Sequence, residues 1–313
     1  MSLAWGMVVN CHCCSRIVAR WVIGWDSSII GDGVLPKLDM RSQLPAITRG
    51  IILLLAIVGF WFWNGDFVWA QPARDLSRQE IQQVTLLRRQ AFEASRLGNF
   101  QEAEQLWSEL LIYLPNEAAI WSNRGNVRVS LNRLEEAIDD YNQAIALAPF
   151  EADPYLNRGA AMEGLERWQE AIDSYDRVLS LDPEDAAAFN NRGNAKAGLR
   201  DWEAALADYQ RAIEINPNFA LARVNAALVF FQTGDRQEAI RRFRNLTRKY
   251  PAFADPRAAL TAALWETGQR GEAESNWVAV VGLDNRYKDL DWLAKVRRWP
   301  PEMVKAMEKF LNL

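Results

Sequence analysis

Residues 118–151 read AAIWSNRGNVRVSLNRLEEAIDDYNQAIALAPFE, and residues 152–185 read ADPYLNRGAAMEGLERWQEAIDSYDRVLSLDPED. Laid one under the other, Asn123-Arg124-Gly125 falls on Asn157-Arg158-Gly159, Ala137 on Ala171, Tyr141 on Tyr175 and Pro149 on Pro183. The beat extends outward in both directions. Pro115, Pro149, Pro183, Pro217 and Pro251 follow at intervals of 34, and so do Ala103, Ala137, Ala171, Ala205, Ala239 and Ala273. An aromatic residue stands four places after each of those alanines: Trp107, Tyr141, Tyr175, Tyr209, Phe243 and Trp277. Another stands four places before three of the glycines, at Trp121, Tyr155 and Phe189. A fixed period of this size marks a stacked repeat protein. The physical reading is a pair of antiparallel helices per repeat. Small residues sit where helices approach closely, aromatics fill the volume between them, and the proline ends the second helix because it lacks an N–H. Such a stack presents one long inner surface, and surfaces of this kind bind.

At these columns the chain resembles the tetratricopeptide repeat (TPR) family. The resemblance covers six repeats, 84–117, 118–151, 152–185, 186–219, 220–253 and a degenerate 254–285 in which Asn285 replaces the proline. The Asn-Arg-Gly triplets at 123–125, 157–159 and 191–193 are similar to those of many bacterial arrays. The resemblance implies an all-α solenoid, a right-handed superhelix of helix-turn-helix repeats, acting as a non-enzymatic scaffold for a protein or peptide partner; the alternatives are an accessory subunit of an enzyme and a self-associating membrane tether. Related arrays in photosynthetic bacteria often assist the assembly of membrane complexes, an expectation by fold-level analogy. A solenoid needs terminal caps. Leu290, Leu293 and Val296 are spaced for a helix over 288–298, and Met303, Val304, Met307 and Phe310 for a second after Trp299-Pro300-Pro301. The stretch 286–313 therefore reads as capping helices, or as a docking tail on account of Trp292, Trp299 and Phe310.

The N-terminal 70 residues break the period. Arg41 and Arg49 precede an uncharged apolar run of 16 residues, Gly50 to Gly65. A membrane span wants roughly 20 residues and a secretory core roughly 7–15. Val68-Trp69-Ala70 offers a cleavage site, so 40–70 reads as a signal peptide, with a retained transmembrane anchor through residues 50–65 as the alternative. Translation is expected to start at Met40, leaving 1–39 as a spurious or disordered extension. Arg41 and Arg49 would stay cytoplasmic and the repeats lie across the membrane, in a periplasm or thylakoid lumen. Cys11, His12, Cys13 and Cys14 stand too close together for the spaced ligand pairs of a zinc site. From residue 71 onward the chain has no Cys or His, and 31 basic residues against 36 acidic ones. No metal or cofactor is expected, no catalytic group is placed, and no basic stripe invites nucleic acid.

Ser77 and Glu80 form a capping box that starts the first helix, which runs to about Leu97 before a turn at Gly98-Asn99. Gly98, Gly234 and Gly268 share that turn position. Asp153-Pro154 and Asp255-Pro256 read as helix N-caps followed by a first-turn proline. Asn123, Asn157, Asn191 and Asn225 fall 34 apart on the inner helices, with Asn126 and Asn194 one turn further along. Each amide offers a donor and an acceptor, so the ladder suits the backbone of an extended peptide; the other reading is that these amides only join neighbouring helices. The resemblance implies peptide binding by such a ladder. Toward the C-terminal end the face turns apolar at Leu221, Val224, Leu228, Phe231 and Trp265, with Phe92 at the opposite end. Phe231 and Trp265 are read as selecting apolar side chains of the partner, or as packing on the cap. The family's carboxylate clamp is not expected: Asn126 and Asn157 match it, but Ser122, Ala187 and Asn191 stand where its basic residues would be. Arg124, Arg158 and Arg192 are expected to pair across helices with acids such as Asp140 and Asp208.

Overall fold

The computed structural model describes residues 75–312. The apolar run 50–65, the cleavage site at Ala70 and the Cys/His cluster lie outside them. Among the described residues no helix is long and apolar enough to cross a membrane. The described chain is all-helical. Its helix pairs are α1 (Arg78–Leu97) with α2 (Phe100–Tyr113), α3 (Ala118–Ser130) with α4 (Leu134–Leu147), and α5 (Ala152–Gly164) with α6 (Trp168–Leu181). Then follow α7 (Ala186–Gly198) with α8 (Trp202–Ile215), α9 (Ala220–Gln232) with α10 (Arg236–Lys249), and α11 (Ala254–Glu266) with α12 (Arg270–Leu283). A 3₁₀ turn (Asn285–Lys288), a π turn (Trp292–Val296) and α13 (Pro301–Leu311) complete the chain. The helix that the spacing suggested over 288–298 is present but shorter, over 290–296, and wound mostly as a π turn.

Each helix packs on its partner and on the next pair, and first helices of successive pairs also touch, which puts them on the inner wall. The capping box at Ser77 forms in full: the Ser77 N–H donates to Glu80 Oε2 at 2.8 Å and the Glu80 N–H to Ser77 Oγ at 3.3 Å. The turn inside each pair is left-handed, at Gly98, Asn132, Glu166, Arg200, Gly234 and Gly268. Three of those positions hold the same backbone without glycine, at a cost of about 1–2 kcal/mol each. The repeated alanines are fully buried, and so are Trp107, Tyr141, Tyr175, Tyr209 and Phe243. Burying each ring contributes roughly 2–3 kcal/mol. The glycine columns have a steric cause: a Cβ on Gly159 would sit 2.6 Å from Tyr175 Cε1. The largest core joins α9–α12 to the C-terminal segment, with Leu293, Trp299, Met303, Met307 and Phe310 all buried.

Candidate functional site

The inner wall divides into two lengths. Along α9 and α11 it is covered by the chain's own residues 285–311. Arg297 donates through Nε to Asp255 Oδ2 at 2.9 Å and through Nη2 to Asn225 Oδ1 at 3.0 Å. Asp255 Oδ1 accepts from Tyr287 Oη at 2.9 Å and from Trp299 Nε1 at 3.1 Å. Burial opposes the charge on Arg297, but Asp255 outweighs it and holds the guanidinium above its ordinary range. Further back along the wall, Arg298 pairs with Glu163 of α5, whose other oxygen accepts from Tyr175 Oη. Arg298 adopts φ 56° and lies over the Trp168 ring at 5.6 Å. Burial pushes the Glu163 carboxyl up to about 7 against the pull of Arg298 and Tyr175. The Glu302 N–H donates to Gln232 Oε1 at 3.0 Å, and Lys309 pairs with Glu266.

This arrangement corrects several sequence expectations. Asn225 is buried and spoken for: its Nδ2 donates to Asn190 and Asn194, each at 3.0 Å, and its Oδ1 accepts from Arg297. Phe231 is 1% exposed, so it selects nothing from a partner. Trp265 is half-buried, edge-on to Phe310 at 5.4 Å. Val224 and Leu228 belong to the same core. The tail's Trp299 and Phe310 are buried, which makes them cap and not bait. Asp255 is no N-cap either. Helix α11 begins at Ala254 with Phe253 before it, and Asp255 faces the tail. Asp153 lies likewise inside the first turn of α5, after Glu151.

The other length of wall, along α1, α3 and α5, is uncovered by the tail except at the end of α5, where Arg298 reaches Glu163. Asn123 and Asn157 are partly exposed and make no side-chain hydrogen bond among the described residues. Asn126 is exposed; its Oδ1 accepts from Tyr141 Oη at 2.8 Å, which fixes the amide and leaves Nδ2 facing out. Phe92 is 52% exposed and meets Trp107 edge-on at 4.9 Å. Between the two lengths, Asn191 Oδ1 accepts from Asn190 at 3.1 Å, and Asn194 Oδ1 from Tyr209 Oη at 3.0 Å. Among the described residues the ladder is therefore graded: unpaired amides at Asn123 and Asn157, half-used ones at Asn126, Asn191 and Asn194, and a saturated one at Asn225.

The arginine column is structural, as expected. Arg124 forks onto Asp140 at 3.0 and 2.7 Å, and Arg192 onto Asp208 at 2.8 and 2.7 Å. Arg158 meets Ser174 and Asn142 instead, because its repeat carries serine in the aspartate column. Glu163, Arg297 and Arg298 were missed from sequence. Glu163 had left a trace: the same column holds Val129, Ala197 and Phe231 in other repeats.

Family models for the tetratricopeptide repeat match residues 125–166, 158–224 and 221–252. The segment 125–252 thus consists of tetratricopeptide repeats, and the helix pairs on either side continue the same geometry. The fold is that of a TPR solenoid. A tetratricopeptide repeat protein from Parabacteroides merdae superposes with a TM-score of 0.59 at 19% identity, over 74% of this chain and 93% of that one. MamA (residue 41 to the end) from Desulfovibrio magneticus gives a TM-score of 0.50 at 19% identity, over 53% of this chain and 93% of that one. YrrB, described as a TPR protein with an unusual peptide-binding site, gives 0.45 at 22% identity, over 65% of this chain and 97% of that one. At 19% identity the likeness to the first two is one of fold. No curated protein sequence matches the chain.

Proposed function

We propose that the chain is a non-enzymatic scaffold that holds an extended segment of a partner protein against the inner faces of α1, α3 and α5. Tetratricopeptide repeats are typically non-catalytic interaction modules, which favours this reading. The observation that carries it is the pair Asn123 and Asn157: partly exposed amides on adjacent inner helices, without side-chain partners among the described residues. Asn126 adds a pre-oriented donor, and Asn191 and Asn194 extend the strip toward the edge of the tail. Amides that meet a repeating main chain supply affinity with little sequence choice and little response to salt. Phe92 offers an apolar contact at the end of the strip.

The run 50–65 would place this scaffold at or across a membrane, with the repeats on the non-cytoplasmic side, in a periplasm or thylakoid lumen. Assisting assembly of a membrane complex is the role that fits such a tether. An accessory subunit of an enzyme would use the same wall. The test is capture of partners from solubilised membranes by the native chain and by an Asn123→Ala/Asn157→Ala variant. Loss of the captured proteins at unchanged fold supports the reading. Capture at full affinity by the folded variant overturns it.

A further inference from the structure

The second helix of each pair faces outward, and one of them breaks the charge pattern of the rest. Helices α2, α4, α6, α8 and α12 each carry more acidic than basic side chains. Helix α10 carries Glu238 alone against Arg236, Arg241, Arg242, Arg244, Arg248 and Lys249. The reversal falls on equivalent positions: the outward column that holds Asp139 and Asp173 in two earlier repeats holds Arg241 here. Internal pairing does not neutralise the ridge. Arg241 and Arg242 share Glu238, and Arg244 takes Glu272. Arg248 and Lys249 have no acidic partner among the described residues, and both are exposed. The acidic column is just as open. Asp139 is exposed with no side-chain partner among the described residues, and Asp173 accepts only from Gln169 at 3.1 Å.

We propose that the basic outer ridge of α10 docks on the acidic outer ridge of α4 and α6 of a second copy of this chain. The complement is present in the same molecule, on helices of the same length and orientation in the repeat. Arginine predominates in the ridge, and its planar fork suits paired carboxylates. An anionic bilayer fits less well: among the described residues, no large apolar side chain between 200 and 277 is exposed to enter it. The contact joins two different surfaces, so it is head-to-tail and leaves each copy one free ridge of either sign. It uses the outer wall and leaves the inner amide strip open.

Sedimentation velocity of the full chain in mild detergent, which shields the run 50–65, tests this at about 0.01 M and about 1 M salt, where screening lengths are about 30 Å and about 3 Å. The native chain should associate at low salt and come apart at high salt. Arg241→Glu/Arg248→Glu and, separately, Asp139→Arg/Asp173→Arg should each weaken self-association at least tenfold. An equimolar mixture of the two variants should associate again, because each supplies the ridge the other now lacks. The proposal is overturned if the native chain stays monomeric at low salt, or if either variant alone associates as the native chain does. It is also overturned if the mixture fails to recover while both variants keep native helicity. Salt-sensitive binding of a native monomer to phosphatidylserine vesicles, lost in the α10 variant, would assign the ridge to lipid instead.

Discussion

The two lengths of the inner wall are built from the same repeat and end in opposite states. Along α9 and α11, polar groups at inner positions are satisfied by the chain itself, through Arg297, Trp299 and Tyr287 on Asp255 and Asn225. Along α3 and α5, the equivalent asparagines have no side-chain partner among the described residues. The difference teaches that a repeated residue is a position and not a function. Asn225 and Asn157 occupy one column, yet one belongs to a cap and the other to a vacant strip. What decides between them is whether a distant segment reaches that far, and the tail reaches α5 only at its end, through Arg298 and Glu163.

Removing the tail's anchor gives the largest expected effect. Trp299→Ala empties a buried site and removes one of the two donors to Asp255 Oδ1, at a cost of about 3–5 kcal/mol. Because repeats contact only their neighbours, amide exchange should rise in α9–α13 and stay low in α1–α4. A uniform rise along the whole chain would break the distinction between the two lengths.

The Glu163 contact should make the boundary between them sensitive to pH. Burial lifts the folded carboxyl from an ordinary 4.5 to about 7. The folded chain then holds this proton more tightly than the unfolded one, so the group's contribution is complete below about 4.5 and is lost as pH rises to about 7. The loss is on the order of 3 kcal/mol. Glu163→Gln keeps a neutral hydrogen-bonding group and should flatten the stability profile over that window in denaturant titrations. An unchanged slope would mean that another group titrates there.

Asparagine substitutions compare the lengths directly. Asn225→Ala strands Arg297 and Asn190 donors or acceptors and should cost about 1–3 kcal/mol. Asn123→Ala with Asn157→Ala removes no internal bond and should change stability by no more than about 0.5 kcal/mol. Equal costs at both places would show that the vacant amides carry structure after all.

Much of this fold is legible in sequence because its causes are local and repeat. Gly159 and Tyr175 must be small and large together, since a Cβ would collide with the ring. Ser77 and Glu80 close a box three residues wide. The Arg124 and Arg192 pairs with Asp140 and Asp208 follow from columns 16 residues apart. That 286–313 caps the stack was legible, but which inner-wall groups it meets was not, for the opposite reason. Arg298 and Glu163 lie 135 residues apart, and nothing near either residue encodes the other. Asp255-Pro256 misled because a first-turn proline is equally compatible with a helix that starts two residues earlier, at Ala254. Asn225 is saturated partly by the neighbouring repeat, through Asn190 and Asn194, and partly by Arg297 of the distant tail.

The central claim is that the partner meets the inner wall at its N-terminal length and not where the tail lies. A photoreactive side chain placed at Asn126 in one variant and at Trp265 in another, each expressed as the full chain in its native cells, reads this directly after irradiation. The account predicts a partner adduct from position 126 and none from position 265. An adduct from position 265 with none from position 126 would contradict it.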